Sequence, residues 1–471
     1  MQMRSDAGKK PLNTAVIFAI ILIASVVHIC VADVSSLDEL WNYNFSRMIT
    51  MGMLPYRDYN MVPTPLFTMI MSLPLFISRS LFAFRIACSL FIAALFWLLY
   101  KILTLKNKNS LFALPFVLIC ILLTDYVSYN DLFLLLVLAV FLLIERSDLS
   151  KYPMAIGALC TASVFARQTS GCLLLVITFI IIIVFYSEKV RSALLFAAGA
   201  VLPGLAFLIY FICTSSLNAF WDYCLFSLTG FGENNTHFFP GSVVLLLLLG
   251  IEIAAGIFLI IRKKDKLDII CFLLGIPVLS IMVPIIDYSH VHFAVIYFLI
   301  PVFRLLSGSF SNKIRNSIIV FLSALIFICM SGFGFSKIIG TTVSSDIAEL
   351  KYVPVRTDLL DDYTKIADMT ARYRSEGYSV TMFSSSSVIV SIINGDANPP
   401  YDTFNEGNFP GSVESHMVYV EQACSGNNKI IIIASDYDEE GWQNPSGVLE
   451  YVRSNSEIIG SYGRFLICRT P

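Results

Sequence analysis

Charge is what this chain lacks most. Only 14% of its residues are Asp, Glu, Lys or Arg, against about a quarter in an ordinary soluble protein. With 56% apolar residues and a mean hydropathy of +0.75, that deficit excludes a water-soluble globular fold. Short segments of alternating polarity are missing too, which excludes a membrane β-barrel. What remains is a polytopic α-helical membrane protein, because in lipid only helices and closed barrels satisfy their backbone polar groups. A basic excess is absent: the net charge of −2 offers no footprint for nucleic acid. The eleven cysteines show neither zinc-ligand spacing nor a disulfide framework. Most, such as Cys30, Cys120, Cys160 and Cys271, lie in apolar runs, where they act as small hydrophobes. Cys424 and Cys468 are a pair only if their region is extracytoplasmic. No internal repeat and no low-complexity tract is found. The first apolar run lacks a small-residue cleavage site, so it is read as a retained span.

What is present is a series of apolar segments, read as eleven spans near 14–31, 80–100, 111–124, 131–144, 153–166, 169–186, 192–213, 242–261, 268–286, 290–306 and 316–336. Several fall short of the ~20 residues that cross a bilayer, so their turns are expected to be recessed. The positive-inside rule orients them. With the N-terminus in the cytoplasm, the inner segments hold the basic residues, among them Lys9, Lys101, Arg146, Lys189, Arg262 and Lys313. The outer turns at 125–131, 214–241 and 287–289 hold no Lys or Arg, and the turn at 167–168 holds Arg167 alone. "MVPTPLFTMIMSLPLFI", 61–77, is apolar but broken by Pro63, Pro65 and Pro74. It is read as a re-entrant or interfacial segment, which leaves 32–79 as one long outer loop.

From about residue 340 the apolar runs shorten and charges appear. "YSVTMFS" and "KIIIIAS" read as buried strands, and "EIIGSYGRFLICR" as two short ones. "NPSGVLEYVRSN" reads as a helix starting near Asn444 or Ser446 with Pro445 in its first turn. Two domains follow: a multi-span membrane domain, 1–339, and a small extracytoplasmic α/β domain, 340–471.

The polar residues of the membrane domain gather on the outer side. Asp38, Glu39, Arg57 and Asp58 lie in the first outer loop, Asp125 and Asp131 in "TDYVSYND", and Arg167 in "FARQTSG". Trp221, Asp222, Glu233 and His237 lie in the fourth outer turn, and Asp287, His290 and His292 in "DYSHVH". Ionisable groups at membrane depth are costly and line cavities or pathways. Each also has a structural reading. Asp38 and Glu39 form the acidic first turn of a helix capped by Ser35 or Ser36, and Asp131 is a helix N-cap. Arg167 snorkels to headgroups, and Trp41, Tyr43, Tyr56 and Tyr59 form an interfacial belt or a sugar-stacking surface. Asp287, His290 and His292 match no metal-ligand spacing.

"LDELWNYNFSRMITMGMLPYRDYNMVPTPLF" resembles the first extracytoplasmic loop of the GT-C glycosyltransferases, near bacterial protein mannosyltransferases and the lipid A aminoarabinose transferase. The matching residues are Asp38-Glu39, Gly52, Pro55-Tyr56-Arg57-Asp58 and Pro63-Thr64-Pro65-Leu66. The early arginine of the family's second span is matched by Arg85, and its basic–Gln–Thr turn by "FARQTSG". "YDTFNEGNFPG" and "WQNPSGVLEYVRSN" look like the outer domain of bacterial members. One departure matters: some relatives carry a basic residue before the proline pair, where Val62 stands here.

The resemblance implies a plasma-membrane glycosyltransferase, of bacterial type, whose donor is a sugar on a polyprenyl phosphate. Its acceptor is a glycan, lipid or protein on the extracytoplasmic face. It implies Asp38 as the base, with Glu39 orienting it or the acceptor, and Arg57, Arg85 and Arg167 as donor-phosphate ligands, Arg167 preferred. Asp58, Asp125, Asp131, Asp287, His290 and His292 form a secondary polar set. Some members use a divalent cation and others do not; no metal ligands are assigned. The chemistry agrees, since arginine suits bidentate phosphate contact and a hydroxyl acceptor gains from a carboxylate base. Two other classes compete. A polysaccharide polymerase or ligase is expected to carry arginine-rich outer loops. A lipid-linked-sugar transporter or flippase is expected to show repeated halves. Sugar and acceptor identity are not encoded in these motifs.

Overall fold

The computed structural model describes residues 14–34, 37–105, 110–147, 149–226, 236–309, 312–343, 346–383, 387–393, 413–440 and 446–471. The readings placed on Ser35, Ser36, Glu233, Asn444, Pro445 and the "YDTFNEGNFPG" motif lie outside the described residues.

The chain is mostly helical. Its elements begin with α1 (Thr14–Cys30), α2 (Leu37–Thr50), α3 (Leu66–Leu75), α4 (Leu81–Thr104) and α5 (Ser110–Leu123). There follow α6 (Tyr129–Ser147), α7 (Pro153–Val164), α8 (Gln168–Phe185), α9 (Lys189–Cys213) and α10 (Leu217–Trp221). After β1 (His237–Phe238) come α11 (Val243–Lys263) and α12 (Lys266–Leu279), then β2 (Ile285–Ile286), α13 (Tyr288–Ser309) and α14 (Asn312–Ile338). Every one of the eleven apolar segments is a helix. Among the described residues, α4, α8, α9, α11 and α13 are long and apolar enough to cross a membrane.

Local chemistry sets the helix starts. Ser80 caps α4, its side chain accepting from Ala83 N at 3.2 Å. Asp265 caps α12 by accepting from Leu267 N at 3.0 Å. At α6 the cap is Ser128 rather than Asp131. Ser128 Oγ accepts from Asn130 N at 3.2 Å, and Asp131 reaches back to Ser128 N at 2.8 Å. This reciprocal arrangement satisfies two orphan donors. The 61–77 segment is the ten-residue α3 with Pro74 inside it, about half the length a span needs. Leu73 and Ile77 stand exposed at its end.

Glycines let the helices touch backbone to backbone. A Cβ on Gly157 of α7 would lie 2.1 Å from Phe196 O, and one on Gly199 of α9 would lie 1.9 Å from Met154 O. Small residues at such crossings are how membrane helices pack closely.

The C-terminal part contains β3 (Thr341–Val343), β4 (Pro354–Arg356), α15 (Thr357–Ser375), β5 (Ser379–Phe383), α16 (Ser387–Ile393), α17 (Val413–Cys424), β6 (Lys429–Ala434), α18 (Tyr437–Glu440), α19 (Val448–Asn455), β7 (Glu457–Tyr462) and β8 (Phe465–Arg469). The four expected strands form one mixed sheet in the order β5-β6-β8-β7, with β5 and β6 parallel and the other pairs antiparallel. The helix expected at Asn444 or Ser446 starts at Val448, with Gly447 as its N-cap at φ 83°. Glycine takes that left-handed conformation without a steric cost.

Side-chain alternation splits β6 between two cores. Ile430 and Ile432 join a core continuous with the membrane helices, whereas Ile431 and Ile433 pack under Val420, Val448 and Val452. One face of the sheet is therefore docked on the outer loop. Val34 N donates to Pro354 O at 3.2 Å, and the buried Arg47 of α2 reaches Ser391 O at 3.4 Å. Cys424 and Cys468 are both free thiols.

Candidate active site

The site is built on α2 and on the turns near 125–131, 165–168 and 285–290 that surround it. The acidic pair at its start diverges. Glu39 is buried, and both its oxygens accept from Arg85 of α4: Nε to Oε1 and Nη2 to Oε2, each at 2.7 Å. Arg85 also donates to Ala32 O and to Asp33 O. This early arginine is thus occupied in anchoring α2, and Glu39 is its counter-ion. Neither presents a free group to a ligand.

Asp38, one residue earlier, turns about 100° away. It is half-buried and accepts a hydrogen bond from Tyr126 in the second outer turn. Burial raises its pKa. The Tyr126 hydrogen bond and the nearby His290 oppose that rise, while Asp287 and Asp125 add to it. Residues from three separate segments therefore share one electrostatic field. Asp287 caps α13, accepting from His290 N at 2.9 Å and from His290 Nδ1 at 2.7 Å. A carboxylate only accepts, so Nδ1 carries the proton in that contact. His292 lies next to this group and interacts electrostatically with Asp287 and His290. It is buried among aromatics, with Nδ1 on Tyr288 O at 3.1 Å and its ring 3.9 Å from Phe293.

The "PYRD" stretch is a folded loop. Tyr56 stands at φ 65°, with its N–H on Tyr59 O at 2.8 Å and its hydroxyl on Pro63 O at 2.7 Å. Arg57 is exposed and pairs with Asp58, whose carboxylate also accepts from Leu54 N at 2.7 Å. The Arg57 hydrogen bond holds Asp58 below the usual carboxylate range. These two residues satisfy each other and close the turn.

The proline pair is folded against the third outer turn. Leu66 N donates to Phe165 O at 3.0 Å, and Gln168 Nε2 donates to Val62 O at 3.2 Å. Between these segments lies a cavity of about 460 Å³. Arg167, Gln168 and Tyr129 line its polar side; Val62, Pro63, Leu173, Val283 and Trp41 line its apolar side. Val62 and Arg167 thus line the same cavity.

Arg167 differs from the other arginines in its partners. Its guanidinium donates to Asn130 Oδ1 at 2.5 Å, Ile281 O at 3.0 Å and Ser170 Oγ at 3.2 Å. It also bonds Tyr129, over whose ring it sits at 5.9 Å. All four partners are neutral, and among the described residues no carboxylate pairs with it. A buried guanidinium on a cavity wall without a counter-ion is primed for an anion. Tyr129 connects this cavity to the acidic group, since it interacts with both Arg167 and Asp38. Trp41, three residues after Asp38 and so on its face of α2, also lines the cavity.

Sequence reasoning passed over Tyr126, Tyr129 and Asn130. Their signal was available, because all three lie in the quoted turn "TDYVSYND" beside the acids. Among the described residues, no three His, Cys, Asp or Glu side chains gather in a metal-binding group.

No protein-family model matches the chain, and no curated protein does either. Solved structures do. The chain superposes on ArnT from Cupriavidus metallidurans in the apo state with a TM-score of 0.60 and 11% identity, covering 96% of this chain and 97% of that one. The same enzyme bound to undecaprenyl phosphate gives 0.60 and 9%, covering 98% of each chain. The Archaeoglobus fulgidus oligosaccharyltransferase, solved with Zn and sulfate, gives 0.51 and 11%, covering 95% of this chain and 72% of that one. At such identities a likeness reports the fold alone. The fold of this chain is the one these solved structures share.

Proposed function

We propose that the chain is a membrane glycosyltransferase that moves a sugar from a polyprenyl-phosphate donor to an acceptor on the extracytoplasmic face. One observation carries the reading: among the described residues Arg167 is a buried cation whose hydrogen-bond partners are all neutral, on the wall of a half-apolar cavity beside an acidic centre. A polyprenyl phosphate has the matching chemistry, an apolar tail and an anionic head. In this reading the eleven apolar helices are spans, the N-terminus is cytoplasmic, 1–339 is the catalytic unit and 340–471 is an outer α/β unit.

Asp38 takes the proton of the acceptor hydroxyl. Its raised pKa makes it a stronger base than a surface carboxylate. The Tyr126 hydroxyl holds it in place. The acceptor oxygen attacks the anomeric carbon, and the bond from that carbon to the phosphate oxygen breaks. Arg167 and Tyr129 receive the charge that develops on the departing phosphate. Glu39 and Arg85 keep α2 and hence Asp38 in position.

The test is reconstitution of the purified chain in liposomes. The wild type is expected to bind undecaprenyl phosphate and to transfer sugar from polyprenyl-phosphate donors to envelope extracts of a deletion strain. Unchanged undecaprenyl phosphate binding in Arg167→Ala overturns the assignment.

A further inference from the structure

A second cavity, of about 330 Å³, lies between α2 and the C-terminal sheet. That is at the small end of the ~300–1,000 Å³ typical of ligand sites. Its floor is apolar, formed by Leu37 and Leu40 of α2 and Leu359 of α15. Its rim is polar, with Asp362 and Tyr363 of α15 and Arg464 of the β7–β8 turn.

Two rim groups want partners. Asp362 is half-buried, yet among the described residues its carboxylate has no hydrogen bond and no ion pair. The turn at Gly463 approaches it directly: at φ +54°, a Cβ there would lie 2.5 Å from Asp362 Oδ2. The Tyr363 hydroxyl is likewise without a partner among the described residues. The rim is not an anion site. Arg464 pairs with Asp436, and Arg356, also on the rim, pairs with Asp358. Both rim cations are thus engaged by carboxylates outside the cavity lining. A carboxylate acceptor and a phenol above an apolar floor fit a neutral ring with hydroxyls at its edge and C–H bonds on its face.

The position gives such a ring a use. Leu37 and Leu40 face this cavity, while Asp38 and Trp41, each one residue further along α2, belong to the reaction side. The helix is a common wall.

We propose that this cavity holds a saccharide ring of the acceptor, one that is not itself glycosylated, and so selects the acceptor by its sugar. The proposal rests on the reading of the chain as a glycosyltransferase. To test it, the full-length chain, in a detergent without a sugar headgroup, is titrated with methyl glycosides of glucose, galactose, mannose and N-acetylglucosamine. Binding is read by saturation-transfer NMR. At least one glycoside is expected to bind. Leu359→Trp, which fills the floor, and Asp362→Ala, on the rim, are each expected to weaken it tenfold or more, with Arg167→Ala unchanged. Undecaprenyl phosphate binding in the same preparations is expected to show the reverse pattern. No glycoside binding by the wild type overturns the proposal, and so does binding that survives both cavity variants or is lost in Arg167→Ala. Undecaprenyl phosphate binding by the wild type then shows whether the transferase reading stands without it.

Discussion

Arg85 and Glu39 form a buried two-point ion pair, with both contacts at 2.7 Å, across 46 residues of sequence. It joins α2 to the long apolar helix α4. Removing one partner leaves the other charge buried and unpaired, which costs about 3–5 kcal/mol. Glu39→Gln and Arg85→Leu are each expected to lower the thermal unfolding temperature in detergent strongly. The double variant Glu39→Met/Arg85→Leu is expected to lose less than the two single losses added. Additive losses would show that the pair is not coupled.

Asp38→Asn is expected to reduce transfer by about 10²–10⁴, the usual contribution of a general base. Undecaprenyl phosphate binding and elution as a folded species should be unaffected, since Asp38 has no part in the Arg167 contacts. Activity within a few-fold of wild type removes Asp38 from the base role.

The acid limb of the pH profile offers an independent check. A base works only when ionised, and burial holds Asp38 above the ordinary carboxyl range near ~4. Activity is therefore expected to rise with pH through a midpoint above that range. Tyr126 stabilises the ionised form, so Tyr126→Phe moves the midpoint up. Asp287 destabilises it, so Asp287→Asn moves the midpoint down. A midpoint that neither change displaces belongs to another group.

Arginines 57 and 167 are expected to behave differently. Arg167→Ala removes charge-assisted contacts worth about 1.5–3 kcal/mol each, so undecaprenyl phosphate binding should weaken tenfold or more. Arg57 is exposed and paired with Asp58, and such pairs contribute about 0–1 kcal/mol. Arg57→Ala should leave that binding within about threefold. Equal effects on a lipid-binding titration would argue against a role peculiar to Arg167.

The α7–α9 crossing predicts a stability defect far from the chemistry. A Cβ on Gly199 meets Met154 O at 1.9 Å, which is backbone and cannot rotate away. Gly199→Ala is expected to lower the unfolding temperature, whereas Gly250→Ala, with nothing within 4 Å, should not. The two are compared in one thermal-shift series.

Much of this was legible in the sequence. The eleven apolar segments are long-range composition, and each is a helix. The strands at 379–383 and 429–434 announce themselves by β-branched runs. Asp38, Asp125, Asp287 and His290, which the sequence places in turns expected on one side, share one electrostatic neighbourhood. What could not be read is which polar group answers which. Glu39 and Asp38 are neighbours with opposite fates, decided by an arginine 46 positions away. Asp131 reads in the sequence as an N-cap or a secondary polar site, and its carboxylate completes the cap that Ser128 begins. Arg57, Arg85 and Arg167 are alike as letters; only their partners in space separate a surface pair, a buried pair and an unpaired cation.

The docking of the sheet on α2 has a consequence for protein engineering. Val34, Arg47 and the two leucines of the shared wall tie Val34 and α2 to the C-terminal part as well as to the bundle. A chimera that exchanges the C-terminal part alone cuts through these contacts. One that carries 34–50 with it moves the seam into loops, and the recipient bundle must then supply its own arginine for Glu39.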